Sequence, residues 1–237
     1  MNKKTENILV WSLVGVSLLA VSVVVFKALR KKSTSQKLKH PNPKKILIVG
    51  DSQSAVQSQS GSAITYTYPN LLRKQFPDKS IDVSAVGGKT TKYMLDNLPS
   101  KLSNTKYDRV YIYGGGNDTS SSSISLNTTL ANIQKMVDLS VQNGADVFVN
   151  LGYKVEGDFG NYKIMPITPY ITERTQWIPF VEKRKELQRL IPLTIKNANF
   201  IQPYSLNSLT SDGIHPTAEG HKLVAVEFSK TLNSNQA

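Results

Sequence analysis

The chain holds three histidines, no cysteine, and four short clusters in which glycine stands beside a hydroxyl, amide or carboxylate side chain. The most specific is Asp212-Gly213-Ile214-His215-Pro216, just ahead of the last helical stretch. A carboxylate three residues before an imidazole, across a turn, can fix the ring's tautomer and stabilise the imidazolium formed when it takes a proton. A hydroxyl for such a base stands in Gly50-Asp51-Ser52-Gln53-Ser54, directly after the first apolar run. A tight turn there lifts Ser52 above a sheet edge, beside N–H groups at a helix start. In Gly87-Gly88-Lys89-Thr90-Thr91 a glycine lets the main chain come close enough to give an N–H to an oxyanion. Gly114-Gly115-Gly116-Asn117-Asp118 brings a neutral amide donor, Asn117, to the end of a strand. Taken singly, the glycine clusters are also ordinary turn chemistry. Together they supply what acyl transfer needs: an activated hydroxyl, a base that titrates near operating pH, and donors aimed at a developing negative charge. Of the other histidines, His40 lies in a polar linker and His221 on the last helix, and both read as surface residues.

These clusters are useful only if the fold brings them to one place. Apolar runs near 46–50, 81–86, 109–113, 146–151 and 199–201 read as strands, the first buried on both faces. Helical stretches near 63–76, 90–98, 127–143, 179–196 and 217–231 alternate with them. The pattern predicts a three-layer α/β/α domain of flavodoxin-like type, with a parallel sheet of about five strands and ligands bound beyond the strands' carboxyl ends. Three of the clusters directly follow strand-like runs. Segment 152–178 is too long for a simple connection and is expected to be a binding loop or lid. Ser120–Ser123 reads as a loop.

At these four clusters the chain resembles the SGNH hydrolases, the GDSL esterase and lipase family, whose blocks occur here in order. The resemblance runs from Ile46 to about Phe228. It implies Ser52 as nucleophile, His215 as general base and Asp212 as the residue that orients it. It implies an oxyanion hole from the Ser52 N–H, a Gly88 N–H and the Asn117 side chain, with no metal and no cofactor. Two positions depart from the pattern. Gln53 stands where the family often has Leu, and the second block lacks the Asn that commonly precedes its glycine, which leaves Gly87 as the alternative donor to Gly88.

The formal charge of +12 is concentrated at one end: residues 1–45 hold ten Lys and Arg against the single acid Glu6. A basic neck on a near-neutral domain fits a membrane surface, not a duplex, so nucleic acid is not expected as a partner. Ile8–Phe26 is nineteen residues without a charge, about 28 Å as a helix. It lacks a small-residue cleavage site and reads as a retained transmembrane anchor. The expected organisation is a tail at 1–7, the anchor at 8–26, a basic solvated linker at 27–45 and a catalytic domain at 46–237. Eight Lys and Arg lie between anchor and domain against two ahead of the anchor. That asymmetry places the domain on the cytoplasmic side, whereas cell-wall or glycan esters lie on the other.

A P-loop around Gly88-Lys89-Thr90 is excluded because Val83 occupies the position of its first glycine, and no Gly-x-Ser-x-Gly elbow occurs. The expected substrate is a small acyl ester, an O-acetyl group on carbohydrate or peptidoglycan, with Tyr153, Tyr162, Tyr170 and Trp177 as candidate stacking surfaces. Lipid esters or thioesters are the alternative substrates. An inert scaffold or glycan-binding module is the alternative without catalysis.

Overall fold

Strand β1, Lys45–Gly50, is buried from its second residue to its last, because it lies in the interior of a parallel sheet and is covered on both faces. The computed structural model describes residues 36–58, 60–154, 174–206, 209–210 and 214–232, the side chains of 174–178 excepted. Its sheet has five strands in the order β2-β1-β3-β4-β5, where β2 is Ser80–Ala85, β3 Arg109–Tyr113, β4 Asp146–Asn150 and β5 Asn199–Ile201. Every neighbouring pair is parallel. Among the described residues six helices accompany it: α1 Tyr68–Gln75, α2 Thr91–Ser103, α3 Gly116–Ser120, α4 Leu126–Gln142, α5 Arg174–Thr194 and α6 Ala218–Leu232.

Alternation along each strand divides the core in two. Leu47, Val49, Val110, Ile112, Val147 and Val149 point to one face, where residues of α2, α4 and α5 cover them. Ile46, Ile48, Tyr111 and Phe148 point to the other, under Tyr68 and Leu72 of α1 and Val224 and Phe228 of α6. This is the expected three-layer arrangement. The register pairs Gly50 with both Ala85 and Tyr113, so the turns after β1, β2 and β3 leave the sheet at a common edge. The order reverses between β1 and β3, which opens a crevice above that junction.

Two elements differ from the sequence reading. Residues 63–67 precede α1, which begins at Tyr68 with Pro69 in its first turn. The Gly114–Asp118 cluster is not a simple loop: α3 starts after Gly115, whose φ of 101° is one that glycine adopts without strain. The expected anchor at 8–26 and the tail at 1–7 lie outside the described residues. Among the described residues no helix is long and apolar enough to cross a membrane.

The last part of the expected spacer is fastened to the domain. The Gln36 N–H donates to Asn199 Oδ1 at 2.9 Å, and the Lys39 and His40 N–H groups donate to Asp146 at 2.9 and 2.8 Å. Lys44 and Lys45 N–H groups both reach Asp108 Oδ2. Asp146 also faces the fully buried Arg109 at 3.7 Å, and Arg109 in turn donates to the carbonyls of Thr231 and His40. All of this lies at the strands' amino ends, across the sheet from the crevice.

Asp146→Ala removes the acceptor of two N–H groups and strands a buried guanidinium. We expect a loss of about 3–5 kcal/mol in a urea melt, and a smaller loss for Asp146→Asn, which keeps an acceptor.

Candidate active site

The first turn after β1 is shaped by close contact. A Cβ on Gly50 would lie 2.6 Å from Ser54 Oγ and 2.9 Å from the Tyr113 carbonyl, so only glycine lets the chain leave between β2 and β3. The turn closes with Ser54 N–H on the Asp51 carbonyl at 3.0 Å, and Gln53 N–H on Asp51 Oδ1 at 3.0 Å. Ser54 is held from below by the Tyr68 hydroxyl at 2.8 Å. Ser52 is left at the lip, its Oγ 3.0 Å from His215 Nε2.

His215 comes from a segment far along the chain, and two contacts bring it in. The Gln53 side chain donates to the Ile214 carbonyl at 2.8 Å, and Thr217 N–H donates to the Leu209 carbonyl at 2.9 Å. The residue that departs from the family pattern thus ties the Ser52 turn directly to the residue before the histidine. Asp212 lies outside the described residues.

Asn117 and Asp118 divide their work. Asp118 is fully buried and takes the Thr91 N–H at 2.9 Å and the Thr91 hydroxyl, satisfying the start of α2 where the helix dipole favours a carboxylate. Asn117 turns the other way: its Nδ2 donates to the Lys89 carbonyl at 3.0 Å and lies 3.5 Å from Asp51 Oδ2. It thereby holds the Gly87–Gly88 turn against the Ser52 turn. Gly88 has φ of 73°, a conformation that favours glycine. Ser52, Gly87, Gly88, Asn117 and His215 all line one cavity of about 350 Å³.

Burial raises the Asp51 carboxyl to about 6, with the Gln53 N–H and the charges of Arg184 and His215 opposing that rise. His221 is no surface residue: it is buried and lines the cavity, its Nδ1 accepts the Tyr68 N–H at 3.3 Å, and burial lowers its imidazole to about 4. It is a neutral wall of the site at physiological pH. His40, also read as exposed, is half-buried, with its ring nitrogen 3.3 Å from the Gly144 carbonyl. Tyr153 is packing and no stacking surface, buried with its ring 5.0 Å from the Arg184 guanidinium. Tyr162, Tyr170 and the Trp177 side chain lie outside the described residues.

Sequence reasoning missed what α5 contributes. Lys183 donates to the carbonyls of Ser121 and Ile124, both at 2.6 Å, and Gln188 to those of Leu151 and Tyr153 at 2.8 and 3.0 Å. These bonds clamp α5 over the loops after β3 and β4 and set Arg184 in the cavity wall. No local motif marks these residues. The one available signal is three long polar side chains, Lys183, Arg184 and Gln188, on a helix face shared with the core residues Leu187 and Ile191. Among the described residues no cluster of three or more His, Asp or Glu is placed to hold a metal ion.

Residues 48–223 match the model of the GDSL-like Lipase/Acylhydrolase family. No curated protein sequence matches the chain. Among solved structures, TesA superposes with a TM-score of 0.59 at 21% identity, covering 80% of this chain and 98% of that one. The lipase/acylhydrolase from Enterococcus faecalis gives 0.57 at 20%, with 80% and 95% covered. Axe2, an acetylxylan esterase from Geobacillus stearothermophilus, gives 0.54 at 17%, with 80% and 94% covered.

The two shifted groups act oppositely on stability. With His221 lowered from 6.5 to about 4, the unfolded chain binds the proton first. The stability gained by keeping it neutral is complete above pH 6.5 and is lost as pH falls towards 4. With Asp51 raised from 3.8 to about 6, the folded chain binds first, so acidification through that window stabilises. In His221→Gln only the second effect remains. Its melting temperature relative to the parent should therefore rise steadily from pH 7 to pH 4.5, measured by circular dichroism at fixed ionic strength.

Proposed function

Because the chain belongs to the GDSL-like lipase/acylhydrolase family and is thus an ester-hydrolysing serine hydrolase, we propose that it cleaves small acyl esters through Ser52, His215 and Asp212. The observation that carries this assignment is the 3.0 Å approach of Ser52 Oγ to His215 Nε2 at the mouth of the cavity. Ser52 Oγ bonds to the ester carbonyl carbon while its proton passes to Nε2. The tetrahedral oxyanion is held by the N–H of Ser52, that of Gly88 or its neighbour Gly87, and Asn117 Nδ2. Collapse breaks the bond to the alcohol, which leaves with the proton from His215. Water then attacks the acyl-serine by the same route, and the acid is released. Asp212 orients the imidazole and stabilises its cation.

An O-acetyl group on carbohydrate is the substrate this reading favours. A cavity of about 350 Å³ lies near the lower limit for ligand sites, and one structural neighbour is an acetylxylan esterase. Peptidoglycan is the carbohydrate proposed if the domain faces the cell wall. Residues 8–26 would tether the enzyme to a membrane.

For residues 36–237, Ser52→Ala should abolish turnover of p-nitrophenyl acetate and labelling by a fluorophosphonate; turnover at the parent's rate would remove Ser52 from the mechanism. Asn117→Ala should lower kcat by about 10²- to 10³-fold with a far smaller change in KM. Full-length protein should remain with membranes after carbonate extraction, and release by salt alone would reduce the tether to electrostatic attachment.

A further inference from the structure

Arg184 is 6% exposed and lines the same cavity as Ser52 and His215. Its guanidinium is wedged between two glycines. A Cβ on Gly116 would lie 3.1 Å from Nη1, and a Cβ on Gly152 would lie 3.1 Å from Nη2. The Tyr153 ring lies against the group, its centroid 5.0 Å away. Nε is enclosed with no hydrogen-bond partner, and among the described residues neither Nη has an acceptor. Asp51 is a counter-charge that influences it. The point 3.1 Å from Nη1 is 3.7 Å from Asp51 Oδ2, yet the two side chains do not meet as an ion pair.

A guanidinium carries five donors in a planar fork suited to a carboxylate, and burying one with none of them satisfied is costly. Such a group in the wall of a cavity is what a site for an anionic ligand requires. We propose that Arg184 is a specificity residue that receives a carboxylate of the substrate, so that the preferred substrates are acyl esters also carrying an acidic group. This rests on the esterase reading above and narrows its substrate class. The glycines at 116 and 152 make room for the fork, and the clamp from Lys183 and Gln188 keeps it in register with Ser52.

The test uses two matched pairs of esters. On the acyl side, mono-p-nitrophenyl succinate is compared with p-nitrophenyl butyrate; on the alcohol side, 4-acetoxybenzoate with 4-acetoxybenzamide. The parent protein should favour the charged member of at least one pair by about tenfold or more in kcat/KM, chiefly through KM and less so in high salt. Arg184→Met should bring that ratio close to one, and Arg184→Lys should keep part of it. No charge preference in the parent, or a ratio unchanged in Arg184→Met, overturns the proposal. If neither variant folds by thermal melt, inhibition of the parent decides. Succinate or benzoate should compete with p-nitrophenyl acetate at least tenfold better than succinamide or benzamide do, and equal potency overturns the proposal. Failure of the esterase reading is seen separately, as p-nitrophenyl acetate turnover that survives Ser52→Ala. Carboxylate binding to Ser52→Ala, read by thermal shift, reports on Arg184 without any chemistry.

Discussion

A carboxylate buried at the end of β1 sets the terms for the whole site. Asp51 has almost no contact with solvent, so its charge must be met by donors and cations drawn from the surrounding loops. The Gln53 N–H meets one oxygen, which curls the chain so that Ser52 sits at the lip. Asn117 approaches the other, which places the amide of the third cluster beside the Ser52 turn. Arg184 contributes positive charge from a further segment. The same demand that makes Asp51 expensive to bury thus gathers the parts of the site around it. The parallel register, by ending β1 and β3 at Gly50 and Tyr113 together, is what allows those parts to reach.

How much of this was legible in the sequence depended on the range of the interaction. The interior strands β1, β3 and β4 could be read because an interior parallel strand is a continuous apolar run, and KILIVG and RVYIY are that plainly. The turns that carry Ser52 and Asn117 could be placed because short motifs at strand ends have few structural alternatives once the strands are placed. What could not be read was set by distant partners. Nothing in the neighbourhood of His221 tells that α1 will cover it, or that its ring will accept the N–H of Tyr68. Residues 36–44 look like a spacer because they are polar, but backbone N–H groups carry no signature of the carboxylates that receive them. Gln53 was visible only as a departure; its reason is the Ile214 carbonyl, more than a hundred residues away.

The two buried arginines show how structural and functional charge can be told apart. Arg109 sits at the strands' amino edge, buried like Arg184, and it too lies against an aromatic ring, that of Phe148. Each leaves its Nε without a partner. There the likeness ends. Arg109 donates to the carbonyls of Thr231 and His40 and faces Asp146 at 3.7 Å, so its Nη groups are spent on closing the fold. Arg184, in the cavity wall, keeps its Nη groups free of acceptors among the described residues. Residues that maintain a fold settle their hydrogen bonds within it, and groups that violate that rule tend to gather where a ligand completes them. The amino edge of this sheet is therefore built for stability, and the carboxyl edge holds its cationic group in reserve for what enters the cavity.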